Sequence, residues 1–286
     1  MISLTYVIIS YNSGTVIDAN MYTLLSETAH KVVIVDNNSA DGSLAFLKQR
    51  FSKCKILALP QNIGYGRAAN AAIEHSDTTH CLLINPDVSI SADQVSQIQQ
   101  EAAKYPEAAI LAPATRQKHG ALGTAAIDQT FLSGSCMLLD RDKINTLGGF
   151  DASIFLFSEE ADLCTRSIQA GYRLLLLPQI KAQHFKGKSS GESKALIYMR
   201  NWHFAWSRAY YYKKHQLNRG KKSIWRRLFV YAWKSITATS TNKRIKYQAN
   251  TLGTIAFLRG TGAFKVDGRA MADLNSPTNP YCKTAQ

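Results

Sequence analysis

The chain has 286 residues, which is enough for one large or two small domains. Its 45% of hydrophobic and 19% of charged residues exclude a largely disordered or collagen-like protein. The net charge of +14 is unevenly distributed: residues 1–180 contain 13 basic and 17 acidic side chains, whereas residues 181–286 contain 21 and 3. A basic segment behind a mildly acidic body predicts an anionic partner, either nucleic acid or a membrane surface.

Cysteine usage and the N-terminus bear on the compartment. The five cysteines are odd in number and none belongs to a C-x-x-C pair, which favours a reducing environment over a disulfide framework. The chain begins without a basic region and long apolar core, and 18 apolar residues never follow one another. We therefore expect a cytoplasmic protein that meets the inner face of the cell membrane only peripherally.

The first 110 residues alternate between short β-branched runs and helical patterns. The predicted strands are Leu4–Ser10, Lys31–Asp36, Lys55–Leu59 and Cys81–Asn85. The predicted helices are Thr15–Ala29, Ser43–Phe51, Arg67–His75 and Ser91–Tyr105. This alternation predicts an α/β fold with a mainly parallel sheet flanked by helices, in which ligands bind beyond the carboxyl ends of the strands.

The alternation becomes less regular after about residue 128. The later predicted strands are Phe131–Leu139, Arg173–Leu177 and Lys181–Phe185, and the later helices are Arg141–Leu147 and Glu160–Ala170. Beyond Gly191 the sequence has a helical and basic pattern. We predict a boundary near residue 200, with an α/β domain over residues 1–200 and a basic, aromatic-rich helical region over residues 201–286.

A polar segment follows the second predicted strand. Asp36 stands at the strand end, where a carboxylate can accept a hydrogen bond from N3–H of uracil or thymine. Asp41 can cap the next helix, so an ordinary turn is the alternative explanation of this segment.

The turn after the third predicted strand contains two glycines, Gly64 and Gly66, before a helix. Such a turn lets the backbone approach a ligand, and the helix N-terminus favours phosphate. Arg67 can reach a diphosphate from there. The segment lacks the spacing of a P-loop, and a bare strand-to-helix turn explains it equally well.

Candidate metal ligands stand after the fourth strand and late in the chain. Asp87 follows an apolar strand, and Mg²⁺ typically uses one or two carboxylates together with substrate phosphates. The imidazole of His184 can complete such a site, and Lys186 and Lys188 can contact phosphate. A turn formed by Pro86 and a purely structural histidine are the alternatives.

Three carboxylates stand together at the start of a predicted helix, after an aromatic run. They can complement the positive end of the helix dipole. The adjacent pair Glu159 and Glu160 is also suited to general-base catalysis, because a carboxylate is ionised at neutral pH and can take a proton from a hydroxyl.

Taken in order, these segments resemble the family 2 glycosyltransferases of the GT-A fold. The similarity is greatest to the bacterial rhamnosyltransferase-like branch of cell-surface polysaccharide assembly, and it covers about residues 3–190. The segments that carry it are YVIISYN (6–12), VDNNSADGS (35–43), NIGYGRAAN (62–70), LLINPD (82–87), GGFD (148–151), EEADLCTR (159–166) and His184.

The resemblance implies specific roles for these residues. The implied nucleotide-binding residues are Ser10, Asn12, Asp36, Asn38, Asp41, Asn62, Gly64, Arg67, Asn70 and Asn85. Asp36 holds the pyrimidine base, and Asp87 corresponds to the last acid of the family's D-x-D metal motif, with Asn85 in place of its first acid. His184 is the second metal ligand. Glu160 stands where the family usually has an aspartate as catalytic base, and Glu159 is the alternative base.

The implied reaction is inverting sugar transfer with a divalent cation, Mg²⁺ or Mn²⁺, as cofactor. The expected donor is dTDP-L-rhamnose, with a UDP-hexose as the alternative, and the expected acceptor is a polyprenyl-diphosphate-linked saccharide in O-antigen or capsule assembly. A catalytically silent nucleotide-sugar binder is a further alternative. A nucleic-acid-binding protein using the basic tail is an alternative from another class, although no helix-turn-helix, RRM or zinc-finger signature occurs.

The basic last third contains a helical stripe of apolar residues with cations beside it. The stripe consists of Ile224, Trp225, Leu228, Phe229, Ala232, Trp233 and Ile236. A basic amphipathic helix with tryptophan on its apolar face is typical of an anionic membrane surface. Trp202, Trp206 and Tyr210–Tyr212 are expected to add interfacial aromatic side chains. The alternative is that the stripe packs on the catalytic domain.

Overall fold

The computed structural model describes residues 2–115, 123, 125–185, 193–274 and 276–282. They form two compact units. The first comprises Met1–Asn62, Arg67–Phe150 and Glu160–Ser190, and the second comprises Ile63–Gly66, Asp151–Glu159 and Gly191–Gln286. The last segment of the second unit begins at Gly191, within ten residues of the predicted boundary near residue 200, and the unit also includes two short earlier segments. Residue 200 lies inside a helix whose first turns share one core with its later turns, so no break occurs there.

The first unit is built on strands and helices that alternate along the chain. The strands are β1 (Leu4–Ser10), β2 (Lys31–Asp36), β3 (Lys55–Ala58), β4 (His80–Ile84), β5 (Val88–Ser89), β6 (Ala108–Ala114), β7 (Ile127–Asp128), β8 (Cys136–Asp140), β9 (Arg173–Lys181) and β10 (Gln183–His184). The helices are α1 (Gly14–Glu27), α2 (Ser43–Arg50), α3 (Tyr65–Glu74), α4 (Ala92–Lys104), α5 (Arg141–Thr146) and α6 (Glu159–Gln169). The first residues of α3 and α6 belong to segments of the second unit.

The main sheet has the strand order β3-β2-β1-β4-β8-β6-β9-β7. The pairs β2–β3, β1–β2, β1–β4 and β6–β9 are parallel, whereas β8 and β7 run antiparallel to their neighbours. A second, two-stranded antiparallel sheet joins β10 to β5. All seven residues of β1 are buried, which shows that both faces of the sheet are covered, because successive side chains point to opposite faces. The mainly parallel, helix-flanked sheet predicted from the sequence is confirmed.

Four later strands differ from the prediction. The strand β6 was not expected, because its alanine-rich sequence has low strand propensity. The strand β8 begins at Cys136 rather than Phe131. The two strands predicted after Gly171 are replaced by the long strand β9 and the short β10, and a register shift within β9 accommodates Pro178, which cannot donate to the ladder.

The second unit is helical, as predicted for this part of the chain. Its helices are α7 (Lys194–Lys214), α8 (Ile224–Thr237) and α9 (Thr241–Leu258), with a short 3₁₀ turn at Gly220–Lys222. The helices α7 and α9 approach closely at Gly253, where a Cβ atom would lie 2.2 Å from the carbonyl oxygen of Trp202. Trp202, Trp206 and Tyr212 are only 4%, 4% and 7% exposed. The expectation that they are interfacial is therefore wrong, because they are buried within this unit.

The apolar stripe of α8 divides into an inner and an outer part. Ile224 is buried, whereas Trp225, Phe229, Trp233 and Ile236 are 58%, 73%, 69% and 78% exposed. The outer part is therefore not packed against the rest of the described chain. No helix within the described ranges is both long and apolar enough to cross a membrane.

Candidate active site

The carboxyl ends of β1, β2 and β4 meet at one edge of the sheet because these strands are parallel neighbours. Ser10 and Asp36 are register partners at this edge, and Asn85 directly follows β4. The backbone N–H of Asn37 donates to the carbonyl of Ser10 at 2.8 Å, which keeps the chain after β2 beside β1. Three of the predicted nucleotide-binding residues are thus neighbours at a strand-end edge.

Asp36 is only 1% exposed and occupies the last position of β2. Its Oδ2 accepts the backbone N–H of Ser39 at 3.0 Å. Its Oδ1 is buried and has no hydrogen-bond partner among the described residues. A buried acceptor left unpaired is costly, by about 1–3 kcal/mol, so this oxygen is suited to an incoming N–H donor.

Asn12 connects the turns that follow β1 and β2. Its backbone N–H donates to Ser39 Oγ at 2.8 Å, and its Oδ1 accepts the N–H of Ala40 at 2.8 Å. Asn12 and Asn38 have φ values of 52° and 65°, a left-handed conformation that asparagine tolerates better than most residues. The side chain of Asn38 is exposed, whereas the Oδ1 of Asn12 is already bound to the backbone of the turn.

Asp41 does not cap α2 as predicted. The N-cap residue is Gly42, which has a φ of 84°, and α2 begins at Ser43. Asp41 Oδ1 instead accepts the N–H of Ser43 at 3.0 Å, an Asx turn that stands one residue before the cap. The carboxylate is exposed, so Asp41 lies at the margin of the strand-end edge.

The loop after β3 contributes Asn62, and the helix after it contributes Arg67 and Asn70. Asn62 Oδ1 accepts Asn37 Nδ2 at 3.1 Å, which joins this loop to the chain following Asp36. Arg67 is half-buried in the first turn of α3. Asn70 donates to the carbonyl of Phe150 and accepts its N–H, both at 2.8 Å, and thereby anchors the G-G-F turn.

Gly64 belongs to the second unit and is fixed by close contact. Its φ is 85°, and a Cβ atom there would lie 2.3 Å from the carbonyl oxygen of Phe155. The N–H of Tyr65 donates to that same carbonyl at 3.0 Å. Backbone packing therefore requires a glycine at this position, whether or not Gly64 also binds a nucleotide as predicted.

Asp87 and His184 are brought together by the two-stranded sheet. His184 pairs with Val88 across β10 and β5, and the N–H of Phe185 donates to the Asp87 carbonyl at 2.8 Å. His184 Nε2 lies 3.3 Å from Asp87 Oδ1, and both side chains are largely buried, at 17% and 8% exposed. Lys186 and Lys188 lie outside the described residues.

This imidazole and carboxylate fit a divalent cation, which accepts nitrogen and oxygen ligands. The parts of the chain that are described contain no group of three or more His, Cys, Asp or Glu residues able to hold a metal. A cation bound by Asp87 and His184 would therefore take its other ligands from water and substrate phosphates.

Glu159 and Glu160 are the first two residues of α6. Glu159 is buried, and Glu160 is half-buried among neighbouring protein atoms. Burial raises the pKa of Glu160 above its ordinary value of 4.5, and the backbone N–H groups of Glu160 and Ala161 oppose this shift. A raised pKa brings a carboxylate nearer to the range that suits a general base at neutral pH.

Gly134 makes room for this acid. A Cβ atom at Gly134 would lie 3.3 Å from Glu160 Cβ, tighter than ordinary contact. The next residue, Ser135, accepts the N–H of Asn85 through its carbonyl at 2.9 Å. The sequence prediction missed both residues by placing them inside a strand, although a glycine in a predicted strand is a signal of close approach.

Asp162 and Arg166 hold α6 against the G-G turn. Asp162 is fully buried, and Arg166 Nε donates to its Oδ2 at 2.7 Å. Arg166 also donates to the carbonyls of Leu147 and Gly149 at 2.8 and 2.7 Å. The motif E-E-x-D-L-C-x-R thus contains an ion pair that fixes the helix carrying Glu160.

The segment before α6 has a conformation that the sequence did not predict. Phe157 and Ser158 have φ values of 67° and 69°, which is unusual for residues other than glycine and asparagine. Within the second unit, Phe157 packs edge-on against Phe204 at 5.7 Å, and Ser207 Oγ donates to the Leu156 carbonyl at 2.9 Å. Helix α7 therefore holds this segment.

Residues 5–163 match the family described as "Glycosyl transferase family 2". The chain is 26% identical over 266 residues to the N-acetylglucosaminyl-diphospho-decaprenol L-rhamnosyltransferase of Mycobacterium tuberculosis, with 72% of this chain and 87% of that protein covered.

Two solved structures have a similar fold. One is the mannosyltransferase PcManGT from Pyrobaculum calidifontis in complex with GDP-Man and Mn²⁺, with a TM-score of 0.61, 14% identity, and 90% of this chain and 87% of that chain covered. The other is S. aureus TarS 1–349 in complex with UDP-GlcNAc, with a TM-score of 0.54, 13% identity, and 91% and 92% covered.

These comparisons confirm the GT-A fold and the resemblance stated from the sequence motifs. The matched residues 5–163 include β1, β2 and β4, whose carboxyl ends carry Ser10, Asp36 and Asn85, and they extend into α6. The chain is a glycosyltransferase and belongs to glycosyl transferase family 2.

Proposed function

We propose that the protein is an inverting transferase that moves L-rhamnose from dTDP-L-rhamnose to a hydroxyl of a lipid-linked saccharide. The observation that carries the donor assignment is the buried Asp36, whose Oδ1 has no partner among the described residues. The sugar and the acceptor class are supported by the Mycobacterium tuberculosis relative, which is named as an L-rhamnosyltransferase of N-acetylglucosaminyl-diphospho-decaprenol. Assembly of a surface polysaccharide such as O-antigen is the proposed setting.

The pyrimidine base is read by Asp36. Thymine and uracil each present one N3–H donor between two carbonyl groups, whereas cytosine presents an acceptor at that position. Asp36 Oδ1 accepts this N–H, and Asp36 Oδ2 stays bound to the Ser39 amide. Because thymine and uracil are alike at N3, a UDP-hexose is the alternative donor.

The diphosphate of the donor is bound at the same edge of the sheet. We assign Arg67, at the start of α3, to a phosphate oxygen, since a guanidinium binds phosphate in a planar, two-pronged geometry. Asp87 and His184 would hold Mg²⁺ or Mn²⁺. The cation supplies charge neutralisation for the diphosphate that leaves.

Glu160 is the proposed general base. Its carboxylate takes the proton from the acceptor hydroxyl while the hydroxyl oxygen forms a bond to the anomeric carbon. The bond from that carbon to the diphosphate breaks on the opposite side, so the configuration inverts. The raised pKa of Glu160 favours proton uptake, and Gly134 leaves space beside the acid.

The basic second unit is proposed to bring the enzyme to the anionic inner face of the cell membrane, where a lipid-linked acceptor is anchored. The exposed side chains of Trp225, Phe229, Trp233 and Ile236 support this placement, since such aromatic and aliphatic groups enter the interfacial region of a bilayer. Nucleic acid is not an expected partner.

The test is a comparison of Glu160→Gln with the neighbouring Glu159→Gln. We expect Glu160→Gln to lower kcat by about 10²–10⁴-fold without loss of dTDP binding, because the amide cannot accept the proton. Glu159→Gln serves as the matched control and should retain most of the turnover. Near-normal turnover of Glu160→Gln would exclude Glu160 as the base, and loss of turnover only in Glu159→Gln would transfer the role to Glu159.

The donor is identified by a thermal-shift panel of dTDP-L-rhamnose, UDP-glucose and UDP-N-acetylglucosamine, each with and without Mg²⁺ and Mn²⁺. A ligand that binds the native state raises the apparent stability by mass action. The proposal requires the largest shift with dTDP-L-rhamnose in the presence of a cation. A larger shift with a UDP-sugar would favour the alternative donor.

A further inference from the structure

One face of α7 contacts the segment that precedes α6. His203, Ser207, Tyr210 and Lys214 stand at i, i+4, i+7 and i+11, so they form a single stripe along the helix. Each of them contacts the segment Asp151–Glu159, which belongs to the second unit together with α7. We call these four residues the α7 stripe.

Ser207 makes the contact of the α7 stripe that is closest to α6 along the chain. Its side chain is fully buried, and its Oγ donates to the Leu156 carbonyl at 2.9 Å. Beside the stripe, Phe204 packs edge-on against Phe157, with ring centroids 5.7 Å apart. The chain is therefore held at residue 156 through its backbone and at residue 157 through its side chain.

The residues held in this way have an unfavourable backbone conformation. Phe157 and Ser158 have φ values of 67° and 69°, and we call these two residues the left-handed pair. Residues with a Cβ atom disfavour this conformation, and two in succession persist only where the surroundings hold them. Glu159, the first residue of α6, comes directly after the pair, and Glu160 follows it. The left-handed pair therefore sets the backbone from which α6 starts.

The turn before α3 is held separately from the left-handed pair. The Phe155 carbonyl accepts the N–H of Tyr65, the first residue of α3, at 3.0 Å. The buried ring of Phe155 lies 4.3 Å from that of His203 and 5.8 Å from that of Phe264. These ring contacts do not involve Ser207. Loss of the Ser207 hydroxyl should therefore act on the start of α6 and leave the donor side of the site in place.

We propose that Ser207 is a positioning residue for sugar transfer, whose hydrogen bond to the Leu156 carbonyl maintains the left-handed pair and thereby the placement of Glu160. The proposal rests on the proposed function, in which Glu160 is the general base. A displacement of a reacting group by about 1 Å can cost a factor of about 10² in rate. The helical second unit thus contributes to the chemistry of transfer through one hydroxyl that does not touch the substrates.

The test is a double-mutant cycle on the transfer rate. Ser207→Ala is measured in the wild-type chain and in a chain that carries Ser158→Gly, because glycine adopts a positive φ without the steric cost. The matched control is Thr254→Val. It also removes a buried hydroxyl that donates to a backbone carbonyl, at 2.8 Å, but within α9. All chains are assayed with the donor that the thermal-shift panel selects.

We expect Ser207→Ala to lower kcat at least about tenfold in the wild-type chain and less than about threefold in the Ser158→Gly chain. The affinity for dTDP, or for UDP if the panel selects a UDP-sugar, should stay within about threefold, and Thr254→Val should keep kcat within about twofold. Equal losses of kcat in both backgrounds would overturn the proposal. So would near-normal kcat of Ser207→Ala, a loss confined to nucleotide affinity, or an equal loss in Thr254→Val.

Hydrogen exchange followed by mass spectrometry gives a readout that does not depend on activity. The amides of residues 155–160 should exchange faster in Ser207→Ala than in the wild type, and Thr254→Val should not have this effect, since local opening follows the loss of local contacts. Unchanged exchange in this segment would also overturn the proposal. If Ser207→Ala does not fold, Phe204→Leu replaces it and should show the same dependence on Ser158→Gly.

Glu160→Gln in the same assay separates the two possible failures. Near-normal turnover of Glu160→Gln would reject the proposed base, and the role of Ser207 with it. An inactive Glu160→Gln together with equal effects of Ser207→Ala in both backgrounds would reject only the positioning role of Ser207.

Discussion

Asp151→Asn removes a charge that anchors the segment leading to Glu159 and to Glu160, the proposed general base. Asp151 Oδ2 accepts hydrogen bonds from the Tyr210 hydroxyl at 2.9 Å and from Lys214 Nζ at 2.6 Å, and its Oδ1 accepts the Ser153 N–H at 2.8 Å. Tyr210 is in turn stacked on the buried Trp206, with ring centroids 5.3 Å apart. All these residues belong to the second unit, so the anchor ties residues 151–159 to α7.

The magnitude follows from the pKa of Asp151. Burial by itself would raise it, but the hydrogen bonds and the charge of Lys214 prevail and lower it from 3.8 to about 2. At about 1.4 kcal/mol per pH unit, the charged form contributes roughly 2 kcal/mol to the free energy of unfolding. The side chain is 14% exposed, and asparagine retains some hydrogen bonds. We therefore expect Asp151→Asn to cost about 1–2 kcal/mol at neutral pH.

The protein carries its own probe for this measurement. The four tryptophans are Trp202, Trp206, Trp225 and Trp233, and all of them lie in the second unit. Urea unfolding followed by tryptophan fluorescence therefore reports on the unit that contains the anchor. The control is Asp267→Asn, since this carboxylate is exposed and pairs with the exposed Arg269, and we expect no measurable loss.

The pH dependence has a fixed sign. The folded-state pKa of Asp151 is depressed, so its contribution is complete above about pH 3.8 and is lost as the pH falls toward about 2. The difference between wild type and Asp151→Asn should therefore shrink by about half at pH 3. A difference that stays constant from pH 7 to pH 3, or that is no larger than that of Asp267→Asn, would refute this account of the anchor.

Three further substitutions or conditions test the rest of the site. Gly64 and Gly260 both have positive φ, but only at Gly64 would an added Cβ lie 2.3 Å from a carbonyl oxygen. Gly64→Ala should therefore lower the free energy of unfolding of the second unit in urea by at least about 2 kcal/mol more than Gly260→Ala. This difference is about the upper end of the cost of a left-handed conformation by itself. Asp36→Asn should weaken dTDP binding in titration calorimetry about 10–100-fold, because it removes a charged acceptor from a buried site, whereas unchanged affinity would place the base elsewhere. Burial raises the pKa of Glu160 above 4.5, and Glu160 must be ionised to accept a proton. The transfer rate should therefore decrease as the pH is lowered, with an apparent pKa above 4.5 for this decrease. An apparent pKa at or below 4.5 would contradict the assignment of Glu160.

The sequence predicted the parts of the fold whose signals are local. The first strand and the second strand were predicted with the observed bounds, because unbroken runs of Val, Ile and Leu identify strands covered on both faces. The alanine-rich β6 carries no such signal and becomes a strand through its neighbours β8 and β9. Tertiary pairing there outweighs the intrinsic preference of the sequence.

The sequence predicted the positions of the candidate site and the pairing of Asp87 with His184, but not the backbone contacts that hold these residues. Asp87 and His184 are almost a hundred residues apart, and only the pairing of β5 with β10 brings their side chains within 3.3 Å. Asn70 was assigned to the nucleotide by resemblance, whereas its amide binds both backbone groups of Phe150. A motif states which residue types are required, but long-range hydrogen bonds decide which of them point at a ligand.

Net charge was the clearest property of the sequence, and the structure divides it into groups that behave differently. Lys214 and Arg269 are neutralised by Asp151 and Asp267, so they add little attraction for an anion. Exposed lysines on α9 attract any anionic surface, and salt screens that attraction. Arg208 and Arg227 are partly buried, so salt screens their charges less. Binding to an anionic surface that survives moderate salt would therefore depend on such partly buried cations and on the exposed apolar side chains of α8, not on the lysines of α9.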